Sequence, residues 1–324
     1  MSIKQQIVRR LQQAERPVLI CHVSPDGDAL GAMLGLALAL RGMGKHPDTT
    51  CQDPVPMTFH YLPGADKVLS KPTGEYDLIV SLDCSDVRRM GTPYQSLSPR
   101  GKNVLLINID HHVTNLNFGD LNWVDPVAVA TAEMMLELME TMDVPLDVDI
   151  ATCLLTGIVC DTRGFRTANT LPKVTAAATR LMEAGANLAD ITSRVFSQRP
   201  LAAVRLWTQA LQETHMDGRI LWGVVTQEMR MQSGYNANAD AGLVGFLSDV
   251  NEADIAVTFT EKDSGEIDVS MRANRGLDVS QVALSLGGGG HPQAAGCTLQ
   301  ITLQEAVDTV LPALQATWRE QTGQ

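Results

Sequence analysis

An α/β protein in two parts is what the sequence predicts: a larger N-terminal domain with a mainly parallel sheet flanked by helices, then a smaller α+β domain. Three observations lead there. At 324 residues the chain is long enough for two cores of roughly 100–200 residues each. Its first half alternates short runs rich in Val, Ile and Leu with helical stretches, the pattern of strands covered on both faces by helices. Each of those runs also ends in a polar cluster containing Asp or His.

The strands expected in the first half are 17–23 (PVLICHV), 76–83 (YDLIVSLD) and 103–110 (NVLLINID). Each is β-branched or Leu-rich and stops at polar residues. After the first, Pro25-Asp26-Gly27 reads as a turn and Asp28 to Met43 as an apolar helix. Further helices are expected at 128–143, 147–160 and 173–185. Around 190–205 the chain becomes more polar and basic, and Pro200 breaks the run. The boundary is therefore placed there: domain one at 1–190, a linker at 191–205, domain two at 206–324. The second domain reads as strands near 219–226, 253–261 and 265–272, a helix near 278–286, a GGGGHP turn and a final helix near 302–320.

The apolar share of 44% and charged share of 19% fit a globular protein and not a disordered one. With 25 basic against 37 acidic residues the net charge is −12, which argues against tracking long duplex nucleic acid, since phosphate-backbone affinity needs a basic surface. It leaves room for a short nucleotide, because bound cations can neutralise local acidity. The six cysteines stand singly with no C-x-x-C pair, which points to reduced thiols. The N-terminal stretch lacks an apolar signal core, and ALGAMLGLALAL is too short to span a bilayer. The expectation is a cytoplasmic protein without a membrane partner.

The chemistry gathers at the strand ends. His22, Asp26 and Asp28 fall within seven residues after the first strand; a polar loop in which Asp28 caps the next helix would give the same pattern. Asp83 ends the second strand, and Asp110, His111 and His112 end the third. Asp161 follows another apolar stretch. In open α/β sheets ligands bind beyond the carboxyl ends of the strands, so these clusters converge on one crevice. Carboxylates crowded there repel unless cations lie between them. Mixed Asp and His ligation suits Mn²⁺, with Mg²⁺ or Co²⁺ less favoured.

The ordered segments HVSPDGDALG, SLDCSDVRRMG, IDHHVTN and CDTRGF resemble the four successive motifs of the DHH phosphoesterase family. The segment MRANRGLDVSQVALSLGGGGHPQAAG is similar to the DHHA1 domain. The short two-domain form resembles the nanoRNase group, which acts on oligoribonucleotides and on 3′-phosphoadenosine 5′-phosphate. That resemblance implies a DHH catalytic domain and a DHHA1 substrate-binding domain. It implies two divalent metal ions, one on His22, Asp26 and Asp83 and the other on Asp28, Asp83, His111 and Asp161, with Asp83 shared. Asp110 is expected to orient a histidine, and His112 to lie beside the phosphate as a donor or acid.

For the DHHA1 domain the expected substrate contacts are Arg272, Asn274, Arg275, Gly288, Gly289 and His291; in the DHH domain Arg89, Arg163 and Arg166 are weaker candidates for phosphate contacts. The implied partners are short single-stranded oligonucleotides or small phosphorylated nucleotides, and the resemblance allows a homodimer. Two departures from the family pattern stand out: Cys84, where Thr or Ala is usual, and Arg163, where Gly is common. Two other functions share these residues: a linear or cyclic dinucleotide phosphodiesterase, and a non-catalytic nucleotide-binding module. The intact ligand set speaks against the latter.

Overall fold

The structure is a computed structural model that describes residues 1–97, 104–274 and 276–324. The chain forms two compact units, Met1–Gln198 and Arg199–Gln324.

The first unit opens with α1 (Ile3–Gln13), started by a capping box of Ser2 and Gln5 that the strand-based reading of the N-terminus passes over. There follow β1 (Pro17–Cys21), α2 (Gly27–Gly42), β2 (Asp48–Thr50), β3 (Leu78–Leu82), α3 (Gly91–Ser96), β4 (Leu105–Asp110) and β5 (Leu121–Val124). Then come α4 (Thr131–Thr141), α5 (Val148–Asp161), α6 (Pro172–Glu183) and α7 (Leu188–Thr192). The expected strands form as β1, β3 and β4. The short β2 and β5 carry too few residues to show a period.

All pairs in this sheet are parallel, in the order β2-β1-β3-β4-β5. The order reverses between β1 and β3, and that switch point is where doubly wound sheets open a crevice for ligands. Side chains alternate across the sheet: Leu19 and Cys21 join the core under α2, while Val18 and Ile20 pack on the opposite face. Burial on both faces is why these strands read as unbroken apolar runs.

α2 is buried almost all round, between the sheet and α5. Their close approach depends on glycine: a Cβ on Gly31 would lie 2.4 Å from the Cys153 carbonyl oxygen. The stretch expected as a linker is largely helical, with α7, a π-helical turn at Ser193–Ser197 and the start of α8 (Leu201–Ala210). The two units divide after Gln198.

The second unit continues with β6 (His215–Asp217), β7 (Ile220–Val225), α9 (Gln227–Ser233), α10 (Leu243–Leu247), β8 (Ile255–Glu261) and β9 (Ile267–Ala273). It ends with α11 (Ser280–Ser285), β10 (Gly289–His291), β11 (Ala294–Leu299) and α12 (Leu303–Thr322). Its sheet is mixed, ordered β10-β11-β9-β8-β7-β6, with β7 and β8 parallel and the other described pairs antiparallel. Phe259, Val269 and Met271 pack with α11 and α12 on one face, while Ala256 meets α8 and α10 on the other. Half of the GGGGHP segment, expected as a turn, is strand β10. A Cβ on Gly288 would sit 2.1 Å from the Gly296 carbonyl, so close packing on β11 selects glycine there and removes the side-chain pattern that marks a strand. Among the described residues no helix is long and apolar enough to cross a membrane.

Candidate metal centre

Three strand ends and one helix end deliver the candidate residues. β1 runs into His22, and the next turn carries Asp26 and Asp28 to the start of α2. Asp26 is the cap of α2, its Oδ1 accepting from Asp28 N and Ala29 N, each at 3.0 Å. Asp28 caps a different helix. Fully buried, it accepts from the backbone N–H groups of Thr131 at 2.6 Å and Ala132 at 2.8 Å, at the start of α4. The residue before α4, Ala130, offers no side-chain cap of its own, so Asp28 supplies the acceptor those N–H groups need.

Asp83 occupies the centre. Its backbone turns into the left-handed region at φ +60° while its N–H still donates to Ile109 O at 3.0 Å, a conformation that costs a non-glycine residue about 1–3 kcal/mol. One oxygen, Oδ2, lies 3.5 Å from His22 Nε2. The other, Oδ1, lies 3.5 Å from both His111 Nε2 and His112 Nδ1 and accepts from the Thr131 hydroxyl at 2.9 Å.

Around it, His22 Nε2 is 3.7 Å from Asp26 Oδ2, and His111 Nε2 is 3.6 Å from Asp28 Oδ2 and 3.1 Å from Asp161 Oδ2. Most of these gaps are long for hydrogen bonds. They suit shared cations: two donors each about 2.1 Å from one metal lie about 3.0–3.6 Å apart at angles of about 90–120°. His22, Asp26 and Asp83 form one group with ligand atoms within 4.8 Å of one another, and Asp28, Asp83 and His111 form a second. Asp161 joins the second through His111. The residues fit two divalent cations with Asp83 common to both.

The electrostatics carry the same message. Burial and the charges of Asp83 and Asp161 push the Asp28 carboxyl well above its usual range. Burial also raises Asp161, against the pull of His111. Asp83 goes the other way: despite burial, His22, His112 and His111 hold it well below the ordinary carboxylate range. His22 is pushed down by burial and by the Arg89 charge, yet its bonds to Asp26 and Asp83 bring it up to about 10. Without cations the cluster thus holds protons on Asp28, His22 and His111, because so many buried carboxylates cannot all be charged unaided.

A third group sits beside Asp83. Asp110 Oδ1 lies 2.7 Å from His112 Nδ1, and Asp110 Oδ2 accepts from Asn115 Nδ2 at 2.6 Å. Asn115 also donates to Cys84 O at 3.0 Å and accepts from Asn108 Nδ2 at 3.1 Å. His112 and Asp110 are therefore one fixed unit. Sequence reasoning gave no role to Thr131 or Asn115. Asn115 stood inside a motif, whereas Thr131 before an apolar helix reads only as a cap.

In the second unit Arg272, Ala294 and His291 form one cross-strand row over β9, β11 and β10. Arg272 Nη1 donates to Met271 O at 2.9 Å. Asn274 Nδ2 donates to Ala253 O at 2.8 Å, so this amide also serves the backbone. Gly288 packs on β11, and Gly289 pairs with Gly296. Arg275 lies outside the described residues.

This geometry is matched by relatedness along the chain. The DHH family, N-terminal domain, matches residues 17–158, and the DHHA1 domain matches residues 222–319. The "Bifunctional oligoribonuclease and PAP phosphatase NrnA" of Thermus thermophilus is 37% identical over 94% of this chain and 91% of its own length. The chain belongs to the DHH family. Its DHH part holds the Asp83 cluster, and its DHHA1 part holds the Arg272–His291 row. The Bacillus subtilis protein of the same name is 26% identical over 98% of this chain and 99% of its own. Among solved structures, an exopolyphosphatase-related protein from Bacteroides fragilis has the same fold, with a TM-score of 0.82 at 23% identity over 97% of this chain and 96% of its own.

Proposed function

We propose that the chain is a phosphoesterase that hydrolyses short 5′-phosphorylated oligonucleotides to mononucleotides and 3′-phosphoadenosine 5′-phosphate to AMP, using two divalent cations, Mn²⁺ foremost. The observation that carries the reaction class is Asp83, placed at the switch point within 3.5 Å of imidazoles from both ligand groups. The substrate class is supported by the full-length match to the Thermus thermophilus protein and its name.

His22, Asp26 and Asp83 hold one cation in this reading, and Asp28, Asp83, His111 and Asp161 the other. When bound, such a pair stabilises both the attacking and the leaving oxygen of an in-line displacement at phosphorus. The chain's own residues do the remaining work. Asp110 accepts from Nδ1–H of His112 and so fixes the ring, leaving Nε2 to protonate the departing ester oxygen. Arg272 and His291 bind the terminal phosphate, the guanidinium offering a planar fork of donors. Six free cysteines suit a reducing cytoplasm.

The test is release of mononucleotide from 5′-phosphorylated di-, tri- and 24-mer RNA with Mn²⁺, beside 3′-phosphoadenosine 5′-phosphate and cyclic di-AMP, and again with Asp83→Ala. Fastest turnover of the dinucleotide, abolished by the substitution, is the expected result. Preference for cyclic di-AMP would move the function to second-messenger turnover.

A further inference from the structure

A chain of side-chain amides runs from the interior of the parallel sheet to the Asp110–His112 unit. Asn108 lies two residues before Asp110 on β4, so both face the same side of the sheet, and both are fully buried. Its Nδ2 donates to Asn115 Oδ1 at 3.1 Å, and Asn115 Nδ2 donates onward to Asp110 Oδ2 at 2.6 Å and to Cys84 O at 3.0 Å. The other Asp110 oxygen accepts from the His111 N–H at 2.9 Å and lies 2.7 Å from His112 Nδ1. Asn108 thus stands three hydrogen bonds from the His112 ring.

For packing alone, an amide is a poor choice at this position. The Asn108 Oδ1 is shut off from solvent and has no donor, and a buried acceptor left without a partner destabilises the fold, whereas an apolar side chain of the same shape does not. What the amide supplies is polarity. The Asn115 amide has two orientations related by a half turn, and the wrong one sets its oxygen against the Asp110 carboxylate. Two donors oppose that turn: Asn108 Nδ2 and, at 2.7 Å, the backbone N–H of Asn117. Asn117 is exposed in a loop, while Asn108 is anchored in the strand that carries Asp110 itself, and strands hold groups more closely than loops do. We propose that Asn108 is a positioning residue for the phosphoester hydrolysis proposed above, on which this inference rests. It fixes the direction of the Asn115 amide and, through Asp110, the His112 ring that protonates the departing oxygen.

The experiment compares wild type, Asn108→Leu, Asn115→Leu and the double variant, with Mn²⁺, on two substrates. One is a 5′-phosphorylated dinucleotide; the other is the p-nitrophenyl ester of thymidine 5′-phosphate, whose leaving group departs without a proton. Asn108→Leu keeps the shape of the side chain and should melt at or above the wild-type Tm, while kcat on the dinucleotide falls about tenfold and KM stays within about twofold. On the nitrophenyl ester the loss should stay under about twofold. In the Asn115→Leu background Asn108→Leu should cost nothing further in kcat, because the two residues act as one unit. In chelator, the low-field proton resonance of His112 Nδ1–H, assigned by its absence from His112→Gln, should broaden or move upfield in Asn108→Leu. Either an unchanged kcat or an unmoved resonance would overturn the assignment, as would equal losses on both esters or additive losses in the double variant. A Tm that falls in step with kcat would reduce Asn108 to a packing residue. Wild type inert on every phosphoester, with the resonance still moved, would instead overturn the reading of function and leave the hold on His112 in place.

Discussion

Thr131→Val removes one hydroxyl and keeps the shape of the side chain. The hydroxyl donates to Asp83 Oδ1 at 2.9 Å, with both residues buried, so no water replaces the lost donor. A hydrogen bond to a charged group is worth about 1.5–3 kcal/mol, and Asp83 is held ionised by its imidazoles. For a unit of this size each kcal/mol shifts Tm by about 2–4 °C, so the cation-free variant should melt about 3–12 °C below wild type. The backbone N–H of Thr131 still binds Asp28, which keeps the start of α4 in place. Because Asp83 serves both ligand groups, its loss of orientation should weaken Mn²⁺ binding at both, by about 10–100-fold as for other residues that support a metal ligand. Calorimetric Mn²⁺ titration and thermal melts in chelator read the two effects. Thr131→Ser keeps the donor and should stay close to wild type. Mn²⁺ affinity within twofold of wild type in Thr131→Val, or equal damage from Thr131→Ser, would refute the reasoning.

Asn115→Ala should cost about 10–100-fold in kcat, since it frees Asp110 and thereby the His112 ring; an unchanged rate would sink that role. Gly157→Ala places a Cβ 2.7 Å from Asp28 Oδ1 and 2.5 Å from the Ala132 Cβ, and overpacking of this kind costs about 1–3 kcal/mol. It should lower both Tm and Mn²⁺ affinity, whereas Gly31→Ala, which meets the Cys153 carbonyl, should lower chiefly Tm. For pH, His22 titrates higher folded, at about 10, than the 6.5 of the free side chain. Its stabilisation is therefore complete below about pH 6.5 and drains away as the pH rises towards 10. Melts in chelator across that window should fall for wild type and flatten for His22→Gln; equal slopes would contradict the assignment. Saturating Mn²⁺ should also remove the slope, because cations then take the protons' place.

Several features were legible because they are local. β1, β3 and β4 announce themselves as unbroken apolar runs, since both faces of the sheet are buried, and each ends on candidate metal-centre residues. The order of motifs was enough to point to the family and to gather His22, Asp26, Asp28, Asp83, Asp110, His111, His112 and Asp161 into one candidate set. The apolar run after the Pro25-Asp26-Gly27 turn likewise marked α2, and the helices expected at 128–143, 147–160 and 173–185 form as α4, α5 and α6.

Other features exist only once distant segments meet. β10 hides because its glycines answer to a neighbouring strand and leave no alternation to read. Asp28 looks like the cap of the helix it begins, yet it caps α4, 103 residues away. Thr131 looks like an ordinary helix start, yet its hydroxyl reaches Asp83 from 48 residues away. Sequence determined which residues are candidates for the chemistry, because side-chain type and strand ends are properties of short segments. The tertiary structure alone decided what orients them, because a hydrogen bond depends on where the chain returns, and no short pattern encodes that return.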